Sequence, residues 1–171
     1  MPKIIDHEAR RKELATRAAA LFSKHGYAGL GMRKIAEDLG ISKSALYHYF
    51  PSKEALFHAC TDVAMQYDTP VGEGPLPLEA LFDVLKSQEQ GFAAELSLVL
   101  DYTREKSPED IAKDPTMQLA NARYAELVRT AVPPKDVNPV ICLLLGTLLM
   151  RYMDGGQTDM DEIKDWLAAQ L

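Results

Sequence analysis

The segment Lys43-Ser44-Ala45-Leu46-Tyr47-His48-Tyr49-Phe50 gathers an ammonium, a hydroxyl, a phenol and an imidazole within about two helical turns. Lys43 and Tyr47 stand at i and i+4, and so do Ser44 and His48, so a helix presents all four on one side. Each can donate a hydrogen bond to a phosphate oxygen, and Lys43 can also reach base edges. Lys53 follows just after Ser52, a residue suited to starting a helix, where unpaired backbone N–H groups favour an anion. The chemistry implied is binding of a polyanion, not catalysis. No nucleophile–base pair is legible, and no cofactor is expected. The four histidines, His7, His25, His48 and His58, have no paired ligand spacing, so no metal is expected either. Gly72-Glu73-Gly74 runs into Pro75 and follows no strand, which excludes a phosphate loop.

Those side chains need a rigid mount. Nearly every segment has helical period and none alternates like a strand, so the chain is expected to be all-α. Leu14, Ala18, Leu21 and Phe22 form one face of a helix from about His7 to Lys24, ended by Gly26. A short helix is predicted over Met32–Leu39 and another over Lys43–Tyr49, joined through Gly40-Ile41-Ser42. Ala36 is small enough for close crossing, Gly40 tolerates a left-handed turn, and Ser42 can cap the second helix. Ile35, Leu39, Ile41, Leu46 and Tyr49 supply a shared core. This is helix-turn-helix spacing, in which the second helix enters a DNA major groove. With Tyr49 and Phe50 turned inward, the face left for contact is Arg33, Lys34, Ser42, Lys43, Ser44, Tyr47, His48 and Lys53.

Charge supports the same division. The net charge is −6, but residues 1–53 hold ten Lys/Arg against five acids, leaving the rest strongly acidic. A basic head on an acidic body fits a polyanion-binding module joined to something else.

The body is read as a series of helices. One is predicted over Lys53–Tyr67, then a loop over Asp68–Pro77, then helices over Leu78–Gln90 and Phe92–Lys106 separated by Gly91. Ser107-Pro108-Glu109-Asp110 and Asp114-Pro115 are start signals, and Asn138-Pro139 begins another helix to about Met153. Thr158 with Asp161 resembles a capping box for a last helix ending at Leu171. The Val140–Met150 run is apolar but too short to span a bilayer, and no signal peptide is seen, so no membrane association is expected. Cys60 and Cys142 are read as reduced thiols of a cytoplasmic protein.

From Phe22 to Leu56 the sequence resembles the DNA-binding region of the tetracycline-repressor (TetR) family. The resemblance rests on Gly26-Tyr27, Ile35-Ala36, Gly40-Ile41-Ser42, Leu46-Tyr47, Phe50 and Ser52-Lys53-Glu54 with Leu56. It departs where Leu30 and Gly31 replace the hydroxyl residues usual before the second helix, and where Lys34 replaces a frequent acid. The resemblance implies an N-terminal three-helix DNA-binding domain, residues 1–53, joined to a larger helical effector-binding and dimerisation domain, residues 54–171. It implies a one-component regulator, a repressor released from a palindromic operator when a small molecule binds and shifts the helix after the motif. Tyr47, His48 and Lys53 would hold phosphates, with Lys43 and Ser44 near bases.

Phe57, Cys60, Phe82, Tyr102, Met117 and Tyr124 are the residues that could line the effector site, although apolar stripes of this kind are commonly core. Val140–Met153 is apolar almost all round, which suits a helix buried on two sides. The last helix carries Met160, Ile163, Leu167 and Leu171 on a stripe, with Trp166 beside it. Two helices from each subunit would form a homodimer interface. The competing readings are an activator or ligand-independent regulator, and a helical-bundle enzyme or interaction module with an accessory DNA-binding head.

Overall fold

A computed structural model describes residues 6–65 and 77–171 of the 171-residue chain. The described residues are helical, with no strand among them. The predicted loop Asp68–Pro77, except Pro77, lies outside them, as do the last two residues of the predicted helix Lys53–Tyr67. The chain divides into two compact units, Met1–Gln66 with Ser97–Ala120, and Tyr67–Leu96 with Asn121–Leu171.

In the first unit, α1 (His7–His25) begins at Asp6, whose carboxylate accepts the Glu8 and Ala9 N–H groups at 3.0 Å. Then come α2 (Met32–Leu39), α3 (Lys43–Tyr49) and α4 (Lys53–Ala64). The core is built from Leu14, Ala18 and Phe22 of α1, Ile35 and Leu39 of α2, Leu46 and Phe50 around α3, and Leu56 and Phe57 of α4. Each large side chain buried there contributes about 1.5–3 kcal/mol of transfer free energy. Leu21, read as part of the inner face, is half-buried at its edge.

One helix, α5 (Leu78–Thr103), replaces the two predicted on either side of Gly91. A glycine inside a helix costs only about 1 kcal/mol relative to alanine. Leu81, Phe82 and Leu85 before it and Phe92 after it join one apolar cluster, so burial outweighs the local preference. The last turns of α5 belong to the first unit. There Tyr102 is buried with its ring 4.5 Å from Phe57 and 4.8 Å from Tyr27.

The start signal at Ser107 is realised in α6 (Pro108–Lys113). Ser107 accepts the Asp110 N–H, and the Asp110 side chain reaches back to the Ser107 N–H. Asp114 then caps α7 (Pro115–Arg129), accepting the N–H groups of Thr116 at 2.9 Å and Met117 at 3.1 Å. It also accepts the Tyr102 hydroxyl at 2.8 Å and pairs with Lys106. Burial by itself would raise the Asp114 carboxyl, but the Lys106, Tyr102 and Met117 hydrogen bonds prevail and hold it below the ordinary aspartate value.

Asp114→Ala removes a cap and strands a buried phenol, so it is expected to cost about 2–4 kcal/mol in chemical denaturation. Because the folded-state value is depressed, the ionic part of this contribution is present above the ordinary aspartate range. It disappears as pH falls through the lowered value. Asp114→Asn should accordingly flatten the acid limb of the stability profile.

In the second unit, a 3₁₀ turn (Pro134–Asp136) leads into α8 (Val137–Asp154), which matches the helix predicted from Asn138 to about Met153. By length and composition Pro134–Asp154 could cross a membrane, contrary to the estimate from Val140–Met150 alone. Its packing is that of a core helix on one side. Val137, Val140, Leu144 and Leu148 are buried in the unit's apolar cluster, and Arg151 pairs with Glu89 at 2.8 Å.

The last helix, α9, is Met160–Ala168, so Leu171 lies beyond it and is exposed. Its cap is Asp159, which accepts the Asp161 N–H at 2.8 Å, not the predicted Thr158. Thr158 instead donates its hydroxyl to Asp154, which already accepts the Gly156 and Gln157 N–H groups. A carboxylate able to serve several donors wins over the single hydroxyl of the box.

Candidate nucleic-acid interface and ligand cavity

The turn between α2 and α3 is fixed from both ends. Gly40 adopts φ 71°, a left-handed geometry strained for any residue with a Cβ, and the Ile41 N–H bonds back to the Ala36 carbonyl at 3.0 Å. Ser42 accepts the Ala45 N–H at 3.1 Å and starts α3. Arg17 of α1 donates to the Leu39 carbonyl at 2.8 Å, tying α1 to the end of α2. Its sequence signal was only a seven-residue spacing with Arg10 and Lys24, which gives no hint of this partner.

On this mount α3 buries Leu46 and half-buries Tyr49, while Ser42, Lys43, Ser44, Tyr47 and His48 are exposed. The Lys43 ammonium lies 5.6 Å from the Tyr47 ring, and Ser42 and Ser44 hydroxyls are 3.1 Å apart. His48 stands edge-on to Tyr49. Lys53, at the first turn of α4, sits 4.1 Å over the Tyr27 ring. The Tyr27 hydroxyl donates to Glu54 at 3.1 Å; burial first, then this carboxylate, raises its pKa, so the phenol stays protonated.

Arg33 and Lys34 are exposed but occupied differently. Each meets an acid one turn along α2, Arg33 with Glu37 at 3.1 Å and Lys34 with Asp38 at 2.6 Å. The Asp38 hydrogen bond raises the Lys34 pKa and keeps the ammonium charged. Exposed pairs of this kind are weak and yield to a stronger anion. Gly31 starts α2 with no side-chain cap, and Leu30 is buried, so neither supplies the hydroxyl whose absence the sequence showed.

A cavity open to solvent lies within the second unit; the outline of about 530 Å³ takes in open solvent as well as the enclosed space. Apolar side chains from α5, α7 and α8 line most of it, among them Leu81, Phe92, Val128 and Leu144. Its polar lining is Gln88, Glu95 and Tyr124. Of the six residues proposed from sequence, Tyr124 lines this cavity. Phe82 is buried in the same unit's core, whereas Phe57, Cys60, Tyr102 and Met117 pack in the first unit. The Cys60 thiol donates to the Ala15 carbonyl at 3.3 Å, and burial pushes its pKa up to about 12, which makes it an inert core thiol. Gln88, Phe92 and Glu95 went unnoticed because the predicted break at Gly91 split one stripe. On a continuous α5, residues 81, 85, 88, 92 and 95 follow the i, i+4, i+7 pattern.

Residues 14–60 match the family described as bacterial regulatory proteins, tetR family. The HTH-type transcriptional repressor Rv1474c of Mycobacterium tuberculosis is 29% identical over 168 residues, covering 91% of this chain and 89% of that protein. Among solved structures, a TetR transcriptional regulator from Rhodococcus sp. RHA1 is 22% identical and aligns with a TM-score of 0.60, covering 96% of this chain and 98% of its own. The flavonoid-responsive regulator FrrA is 25% identical, with a TM-score of 0.58 over 92% of this chain and 91% of its own.

Proposed function

Because the chain belongs to the tetR family of bacterial regulatory proteins through residues 14–60, we propose that it is a one-component repressor that a small molecule releases from DNA. The observation that carries the reading is the exposed cluster of Lys43, Ser44, Tyr47 and His48 on a helix whose opposite side is fixed in a core. A repressor is favoured because relatives that match over nearly their whole length are named so. The cavity of the second unit, with Gln88, Glu95 and Tyr124 as its polar groups, is the proposed effector site. FrrA, similar over most of its length, is a regulator that answers to a small molecule. The first 53 residues serve as the DNA-binding head and the remainder as effector-binding and dimerisation domain, in the bacterial cytoplasm, where the DNA is. No catalytic step is required.

The active form is a homodimer through α8 and α9. Opposite its buried side, α8 exposes Leu149, Met150, Tyr152 and Met153, the last two at 62% and 70%. On α9, Trp166 is 55% exposed. Water-facing aromatic and Met side chains at this density mark an association surface. Two-fold pairing sets two α3 helices about 34–36 Å apart, one turn of DNA, and the effector disturbs that spacing.

Anisotropy titration of labelled genomic DNA fragments against rising salt tests the DNA-binding reading. Affinity that falls steeply with salt, as released counterions demand, supports it. Salt-independent or absent binding would favour a protein-interaction module instead.

A further inference from the structure

Lys53 does not stand alone at the start of α4. Its ammonium lies 4.1 Å from the centre of the Tyr27 ring, whose electron-rich face attracts a cation. That ring is wedged in place. Phe22 stacks on it at 5.8 Å, and Phe57 and Tyr102 meet it edge-on at 5.0 Å and 4.8 Å. Its hydroxyl donates to Glu54 at 3.1 Å, engaging the carboxylate next to Lys53 in the chain. The turn that carries Tyr27 is held from α5. Asp101 accepts the Ala28 N–H at 2.7 Å, and a Cβ on Gly26 would lie 3.1 Å from the same carboxylate, so a glycine there makes the close approach possible. Asp101 and Tyr102 lie outside residues 14–60, the stretch that matches the family, yet both brace the seat of Lys53.

We propose that Tyr27 is a positioning residue for DNA binding, which holds the Lys53 ammonium ready for a phosphate, and that Asp101 of α5 fixes the turn of Tyr27 to that end. This rests on reading Lys53 as a phosphate ligand. A lysine free in solvent gives up the rotamers of its long stem when it grips an anion, and that ordering weakens the contact. A lysine already seated on a fixed ring gives up less. An ammonium has donors to spare, so it can keep the ring on one side and receive a phosphate oxygen on the other. The DNA-binding head is then completed by the last turns of α5, which belong to the same compact unit.

A phosphate contact carries no base information, so a labelled duplex of random sequence serves as the probe in anisotropy titrations of the full chain. Tyr27→Leu is expected to bind it about 3–10-fold more weakly than the wild type, and Asp101→Ala to show part of that loss. Tyr27→Phe, which keeps the ring, should stay close to the wild type. Lys53→Ala weakens binding on its own, and in that background Tyr27→Leu and Asp101→Ala should cost nothing further. Losses that persist undiminished without Lys53 would mean that the ring and the carboxylate act through the fold, and would overturn the proposal. Unchanged binding in Tyr27→Leu, or a loss as large in Tyr27→Phe, would overturn it too. If thermal melting shows Tyr27→Leu to be unfolded, Asp101→Ala with and without Lys53 decides: unchanged binding or an additive loss overturns the proposal. Wild-type affinity in Lys53→Ala would overturn the phosphate reading itself, and the proposal with it.

Discussion

A chain carrying Met153→Glu and Trp166→Glu together is expected to sediment as single chains and to bind a palindromic operator about 10²–10⁴-fold more weakly than the wild type. Both side chains face water in the single chain, at 70% and 55% exposure, so replacing them removes nothing from the core of that chain. In a dimer both would be desolvated, and four carboxylates brought together across a two-fold axis repel one another strongly. The loss for DNA follows from geometry. With two heads joined, the second half-site is met at high effective concentration; with one head alone, that gain vanishes. Circular dichroism separates this from misfolding, since helicity should persist while association is lost. An unchanged sedimentation coefficient would place the interface on another face.

The second large effect concerns the head. Tyr47→Phe with Lys53→Ala should lower affinity about 10–10²-fold for every sequence tested, because each would lose a donor that we propose holds a phosphate and not a base. Tyr47 is 41% exposed, so deleting its hydroxyl leaves no buried group unpaired. Lys53 rests on the Tyr27 ring at the open end of α4, where its charge adds to that of the free N–H groups. Its loss should also reduce the salt dependence by about one counterion. Lys43→Ala is different in kind and should alter base preference at one position in each half-site. If the double variant binds as well as the wild type, α3 is presented to DNA by another face.

The head was legible because its local rules agree. Gly40 must turn, Ser42 and Ser52 must cap, and Leu46 and Phe50 must be buried, and all of these are written as residue types at fixed offsets. Where the sequence reading erred, two local signals competed and tertiary burial or a stronger acceptor decided. Gly91 reads as a break until both of its flanks are seen to share one core. Thr158 reads as a cap until Asp154 takes its hydroxyl and Asp159 takes the helix N–H groups. The cavity was the least legible part. Its lining draws on three helices far apart in the chain, so aromatic content alone drew attention to Phe57 and Tyr102, which fill the first unit's core.

The central claim is that this chain reads DNA as a symmetric pair of helix-turn-helix heads. Selection of sites from random double-stranded DNA by the purified protein, at near-physiological salt, tests it most directly. The account predicts enrichment of a two-fold palindrome whose half-sites are centred about one helical turn apart, or a multiple of it. Enrichment of a single unrepeated site, or of no sequence at all, would contradict it.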